Sequence, residues 1–165
     1  MILISADNPK DFMAKLLVSD VFDIFRLQEA NLITVVTYNI SGRIRPDFYP
    51  SEERENLSEE FISWSDMRPR LFELIKGKNA PVSFRMTLSL ENDKMLALMA
   101  KGSPEGHSDA LRALVINIRF ENGAVSIITG TSYDSFVLDK SEEQIWDKAF
   151  VKFLSSKGIE FTPQQ

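Results

Sequence analysis

The side chains in this chain that could do chemistry unaided are carboxylates, basic residues and one histidine. Asp23 and Asp134 lie within or beside apolar strand-like segments. A carboxylate held near a sheet can act as a general acid or base, so a small carboxylate-dependent hydrolase or transferase is one reading. His107, the only histidine, sits beside Ser108 and Asp109 in a segment punctuated by Gly102, Pro104 and Gly106. A catalytic triad needs groups converging from separate segments, so three sequence neighbours do not make one, and His107 reads as a polar loop residue. The chain has no cysteine, hence no thiolate nucleophile and no thiolate metal site. No metalloprotease helix, dinucleotide fingerprint or nucleophile elbow occurs, so no catalytic residue, metal or cofactor is assigned. Lys76-Gly77-Lys78 lacks the phosphate-loop spacing and follows a predicted helix, whereas such a loop precedes one.

The basic residues give a different chemistry. Arg68, Arg70, Lys76, Lys78 and Arg85 fall on or beside one predicted helix and the strand after it. Aligned against a phosphate backbone they would give weak, salt-sensitive, sequence-independent contact. Interspersed with Glu73, they also fit an ordinary solvated helix face. Arg43 and Arg45 form a second basic pair, readable as charge that guards an edge strand. Residues 50–60 carry Glu52, Glu53, Glu55, Glu59 and Glu60 against Arg54. Without the loop spacing of a calcium site this is a solvated acidic segment.

The elements that must position these groups are mostly strands. Leu114, Ile116, Ile118 and Phe120 alternate with Val115, Asn117 and Arg119, the period of a strand with one buried face. Asn122-Gly123 follows, and its tolerance of positive φ predicts a type I′ hairpin pairing Phe120 with Val125, Ile118 with Ile127 and Ile116 with Thr129. A third strand through Tyr133, Phe136 and Leu138 is expected to fold back. Asn8-Pro9 opens a helix burying Phe12, Met13, Leu16 and Leu17. A meander is expected over Val21 to Glu29, Leu32 to Ile40 and Arg43 to Tyr49, turning at Ser41-Gly42. Phe61 to Trp64 reads as a short strand, and Asp66 to Lys76 as a helix. Val82 to Leu90 alternates as a strand, and residues 93–101, rich in Met, Leu, Ala and Lys, favour helix over strand. A helix over residues 141–157 starts with a capping box, Ser141 with Gln144, and ends at Lys157-Gly158-Ile159.

Composition bounds the rest. The chain has 165 residues, 44% of them hydrophobic, which suits one domain over residues 1–165. A formal net charge of -5 argues against binding nucleic acid through bulk charge. Met1-Ile2-Leu3-Ile4 lacks the basic start of a signal peptide and no apolar run reaches membrane-spanning length, so a cytoplasmic protein without a membrane partner is expected.

The order of elements resembles the DNA sliding-clamp domain, which is built from two β-α-β-β-β units. Residues 1–49 would form the first unit and residues 60–138 the second, with a short helix inserted over residues 93–101. The likeness in texture lies in Phe22 to Ile44 and in Leu114 to Leu138 around Ile128-Thr129-Gly130-Thr131-Ser132. The whole chain also resembles a family of uncharacterised proteins from Gram-positive anaerobic bacteria. That match is carried by Asn117-Ile118-Arg119, Thr129-Gly130-Thr131-Ser132 and Leu74-Ile75-Lys76-Gly77-Lys78. The clamp resemblance implies helices facing DNA and a link to replication or repair. The family lends no catalytic residue.

The resulting expectation is an α+β fold with mostly antiparallel sheets from two β-meanders, helices packed on one side, and a C-terminal helix. Its function is read as a non-enzymatic binding or scaffold protein with a protein partner and at most weak nucleic-acid contact. Its oligomeric state stays open, and a self-associating structural protein is a further alternative.

Overall fold

A computed structural model describes all 165 residues. Asn8 caps the first helix as expected, its Oδ1 accepting from Asp11 N at 3.1 Å with Pro9 at the first helical position. That helix, α1 (Pro9–Leu17), follows strand β1 (Leu3–Ala6). Then come β2 (Phe25–Ile33), β3 (Thr37–Ser41), a 3₁₀ turn at Pro46–Phe48, the one-turn helix α2 (Ser51–Arg54), β4 (Ile62–Ser63) and α3 (Trp64–Ile75). The second half contains β5 (Ser83–Leu90), α4 (Asn92–Gly102), β6 (Leu111–Glu121), β7 (Ala124–Tyr133), α5 (Ser141–Ser156) and β8 (Phe161–Gln164). No helix is long and apolar enough to cross a membrane.

The strands form a single eight-stranded sheet in the order β3-β2-β5-β6-β7-β1-β8, with β4 continuing the β3 edge of β2. Every pairing is antiparallel. The hairpin at Asn122-Gly123 has φ of 54° and 76°, and its register pairs Phe120 with Val125, Ile118 with Ile127 and Ile116 with Thr129. The predicted turn therefore sets the predicted register.

Registers propagate the burial pattern across the sheet. Ala30, Met86, Ile118, Ile127 and Ile4 stand opposite one another in turn on five neighbouring strands, and all are buried. Helices α1, α3, α4 and α5 bury their apolar faces in the same core, so they lie on this one side of the sheet. At its centre Phe22 packs against Phe12 and Phe153, with centroids 5.5 Å away in each case, and Phe25 meets Trp146 at 6.3 Å. The two tryptophan N–H groups are satisfied, Trp64 donating to Leu16 O and Trp146 to Val115 O, both at 2.9 Å.

Several expected boundaries are corrected. The chain from Val21 to Tyr49 is a two-stranded hairpin turning at Thr34 to Val36, not a three-stranded meander turning at Ser41-Gly42. Gly42 instead fits against β2, where an added Cβ would lie 1.8 Å from Leu27 O, beside a bulge between Leu27 and Glu29. Arg43 keeps one bridge, to Phe61, and Pro46 then starts the 3₁₀ turn, because its fixed φ and missing N–H suit no central strand. The third strand through Phe136 and Leu138 is also absent, and these two residues are 88% and 81% exposed. The edge of β7 that it would need is occupied by β1. The first unit, β1-α1-β2-β3, thus lacks its last strand, whereas β4-α3-β5-β6-β7 keeps the β-α-β-β-β order with α4 inserted.

Helix α3 begins at Trp64, two residues before the expected start at Asp66, and so holds Pro69 in its interior. The start of α5 is held by Asp139, which accepts from both the backbone N and the hydroxyl of Ser141, so the capping box does not form. Its end is the expected Schellman turn, with Gly158 at φ 68° and Ile159 N donating to Leu154 O at 3.0 Å.

Glu142 is the one buried charge of the sheet–α5 junction, 5% exposed. Its carboxylate accepts from Ser108 N and from Tyr133 Oη, the latter at 2.8 Å, and so ties the α4–β6 loop, β7 and α5 together. Burial, reinforced by this hydrogen bond to a carboxylate, pushes the Tyr133 phenol up to about 12 from 10.0. Because the folded value lies above the unfolded one, the stabilisation is complete below pH 10.0 and is lost as pH rises through about 12. Ultraviolet titration should show one of the three tyrosines ionising late, and Tyr133→Phe should remove that transition. Three coincident transitions at the ordinary tyrosine value would show that the junction is open to water.

Candidate functional site

Packing α1, α3, α4 and α5 on one face leaves most of the opposite face of the sheet uncovered. Strand periodicity decides which side chains occupy it. One row across it runs Ser41, Glu29, Thr87, Asn117, Ile128, Leu3 and Gln164; the next runs Asn39, Asn31, Arg85, Arg119, Ser126, Ser5 and Thr162. Neighbours on this surface hydrogen-bond to each other: Asn31 donates to Asn39 Oδ1, and Thr87 Oγ1 donates to Asn117 Oδ1 at 2.8 Å. The centre is a shallow depression of about 650 Å³ lined by Glu29, Arg85, Thr87, Asn117, Arg119 and Ser126 among others. Arg85 and Arg119 stand directly opposite each other on β5 and β6. Arg119 reaches Glu121 at 2.9 Å, whereas Arg85 makes no ion pair. Two like charges facing each other across a strand pair are unfavourable, and an anion shared between them removes that cost.

At one end of this face the chain between Gly42 and Phe61 overhangs the sheet and makes a polar cleft of about 960 Å³. Its three arginines are already engaged. Arg26 Nη1 donates to Phe61 O at 2.8 Å with its Nε 3.3 Å from Glu59, Arg43 pairs with Glu60, and Arg112 pairs with Asp134. The hydrogen bond from Arg112 holds Asp134 below the ordinary carboxylate range. Asp134 is therefore kept ionised and occupied, which is the opposite of a poised general acid. No group of three His, Cys, Asp or Glu side chains is arranged to hold a metal ion.

The basic set read from the sequence is divided by the fold. Arg68, Arg70 and Lys76 belong to α3 and its C-terminal cap, on the covered side, while Arg85 points from the uncovered face of β5. Arg68 is engaged by Asp23, Nε to Oδ1 at 2.8 Å and Nη2 to Oδ2 at 2.9 Å, and Lys76 pairs with Glu73 at 2.9 Å. Arg70 and Lys78 are exposed and make no ion pair. The bidentate pair also removes Asp23 from the carboxylates that could turn over a substrate. Arg45 pairs with Asp47 at 3.1 Å, on the overhanging segment. His107 lies half-buried in the α4–β6 loop.

Arg119 is the residue that sequence reasoning passed over. Its outward position on β6 was legible from the alternation, as was that of Arg85 on β5. Their juxtaposition was not, because α4 separates the two strands and no short turn fixes the β5–β6 register.

A family model described as "Family of unknown function (DUF5721)" matches residues 15–162. No curated protein and no solved structure matches the chain.

The Asp23–Arg68 pair joins the α1–β2 turn to α3, with side chains only 24% and 19% exposed. A double-mutant cycle with Asp23→Ala and Arg68→Ala should give a coupling of about 1 kcal/mol, above the usual surface pair because the geometry is bidentate. Zero coupling in thermal unfolding would mean that Arg68 is free in solution.

Proposed function

We propose that this chain, a member of the DUF5721 family by a match over most of its length, is a binding protein that receives an acidic segment of a protein partner on its uncovered sheet face. The observation that supports this reading is the opposed pair Arg85 and Arg119 at the centre of the depression, ringed by the hydrogen-bonding side chains of Thr87, Asn117 and Ser126. A carboxylate or phosphate bridging the two guanidiniums would relieve their repulsion and meet fork-shaped donors from both sides. Asn, Thr and Ser around them can bond a partner's backbone without demanding a particular side chain.

The face favours protein over nucleic acid. None of the residues lining the depression is aromatic, so bases would find no stacking platform. The chain's net charge of -5 opposes a polyanion at long range, while a short acidic segment needs only the local pair. The hydrolase alternative loses support because Asp23 and Asp134 are both committed to arginines. A cytoplasmic location is part of the proposal and draws on the absence of cysteine. Among the partners that this chemistry allows, replication and repair proteins come first on account of the sliding-clamp resemblance.

A photo-crosslinking side chain placed at Thr87 or Asn117, with Lys152 on α5 as the control position, tests this in extract of the source cell. Adducts are expected at the two sheet positions alone, and Arg85→Glu with Arg119→Glu should abolish them. Equal adducts from Lys152, or adducts that persist in the charge-reversed protein, would refute the site. Duplex DNA should not bind at physiological ionic strength, and a tight complex there would favour the nucleic-acid reading.

A further inference from the structure

The sheet has two free edges, and the sequence treats them differently. Strand β8 is short and carries Pro163, which has no N–H to offer a new neighbour. Strand β3, Thr37-Tyr38-Asn39-Ile40-Ser41, carries neither proline nor a charged residue. We propose that β3 pairs with β3 of a second copy of this chain about a two-fold axis through Asn39, joining the two sheets into one.

The register is self-complementary. An antiparallel pair centred on Asn39 sets Asn39 against its own copy, Tyr38 against Ile40, and Thr37 against Ser41. Tyr38 and Ile40 stand on the helix side, opposite Leu32 and Ala30, and are only half-buried within one copy. The pairing therefore puts apolar against apolar on the covered side and polar against polar on the other, whereas a one-residue slip mixes them.

The flanks match as well. Because the strands run in opposite directions, the Ser41 end of each copy meets the Thr37 end of the other. From the Ser41 end leaves the overhanging segment, where Glu52, Glu53 and Glu55 have no ion partners and Phe48 is 83% exposed. At the Thr37 end, Val35, Val36 and Val82 are 97%, 51% and 66% exposed, with Lys78 in the loop that Val82 N anchors to Ile33 O. Glu52, Glu53, Glu55 and Phe48 of one copy thus approach Lys78 and the exposed valines of the other, twice over. This charge complementarity singles out a second copy as the occupant of the edge. A two-fold contact also uses one patch on both subunits and closes after two chains.

The chain has no native cysteine, so a single one reports the contact directly. Across an antiparallel pair the Cα atoms lie about 4.5 to 5.5 Å apart, within reach of a disulfide or a short bismaleimide. Asn39→Cys should crosslink to a dimer, while Gln164→Cys on the β8 edge should not. Sedimentation of the unmodified full chain should show a concentration-dependent doubling of its 18.8 kDa mass. Glu52→Lys with Glu53→Lys should weaken the dimer, and adding Lys78→Glu should restore it. A monomer at every concentration, or a dimer in which residue 39 crosslinks no faster than residue 164, would overturn the proposal.

Discussion

One constraint governs this molecule: its four long helices, α1, α3, α4 and α5, pack on one face of one antiparallel sheet. The apolar rows across β2, β5, β6, β7 and β1 provide a continuous surface, and burying it against α1, α3, α4 and α5 is the main favourable term available to the fold. The aromatic cluster of Phe12, Phe22, Phe25, Trp146 and Phe153 joins the first helix, the entry to β2 and the last helix. The N-terminal and C-terminal parts of the chain are thereby interlocked. Thr129, the polar member of an otherwise apolar row, is buried but satisfied, accepting from Ile2 N at 2.9 Å and donating to Asp147.

The same constraint creates the surface on which function is proposed. With no second layer over the outer face, its side chains are free to be polar, and Asn, Thr and Ser occupy much of it, with Leu3 and Ile128 as aliphatic members toward β1. A polar open face is compatible with solubility; an opposed pair of arginines on it is a local cost that the fold does not require. Neither Arg85 nor Arg119 supports packing, so their juxtaposition asks for an explanation outside the chain. The overhanging segment from Gly42 to Phe61 closes one end of this face with ion pairs and leaves the centre open.

Much of the fold was legible because local signals agreed. Asn122-Gly123 combined a required backbone conformation with matching alternation on both sides, and Asn8-Pro9 and Gly158-Ile159 combined caps with apolar periodicity. The errors arose where a local pattern had a tertiary competitor. The strand expected from Val21 begins only at Phe25, because Phe22 turns into the aromatic core before it. Phe136 and Leu138 look like a strand, but β1 had already taken the edge of β7, and that long-range pairing leaves no local trace. The site was legible only residue by residue. Arg85 was identified as basic and outward, but grouped with Arg68 and Lys76 across a sheet that separates them, because adjacency in sequence was the only distance available.

The most direct test of the central claim is a nuclear magnetic resonance titration of the arginine side-chain Nε–Hε groups with a short glutamate-rich peptide. The account predicts that Arg85 and Arg119 shift together, along with the backbone amides of Thr87 and Asn117, while Arg68 stays fixed in its pair with Asp23. Shifts confined to Arg70 and Lys78 beside α3, with Arg85 and Arg119 unmoved, would contradict it and transfer the binding surface to the covered side of the sheet.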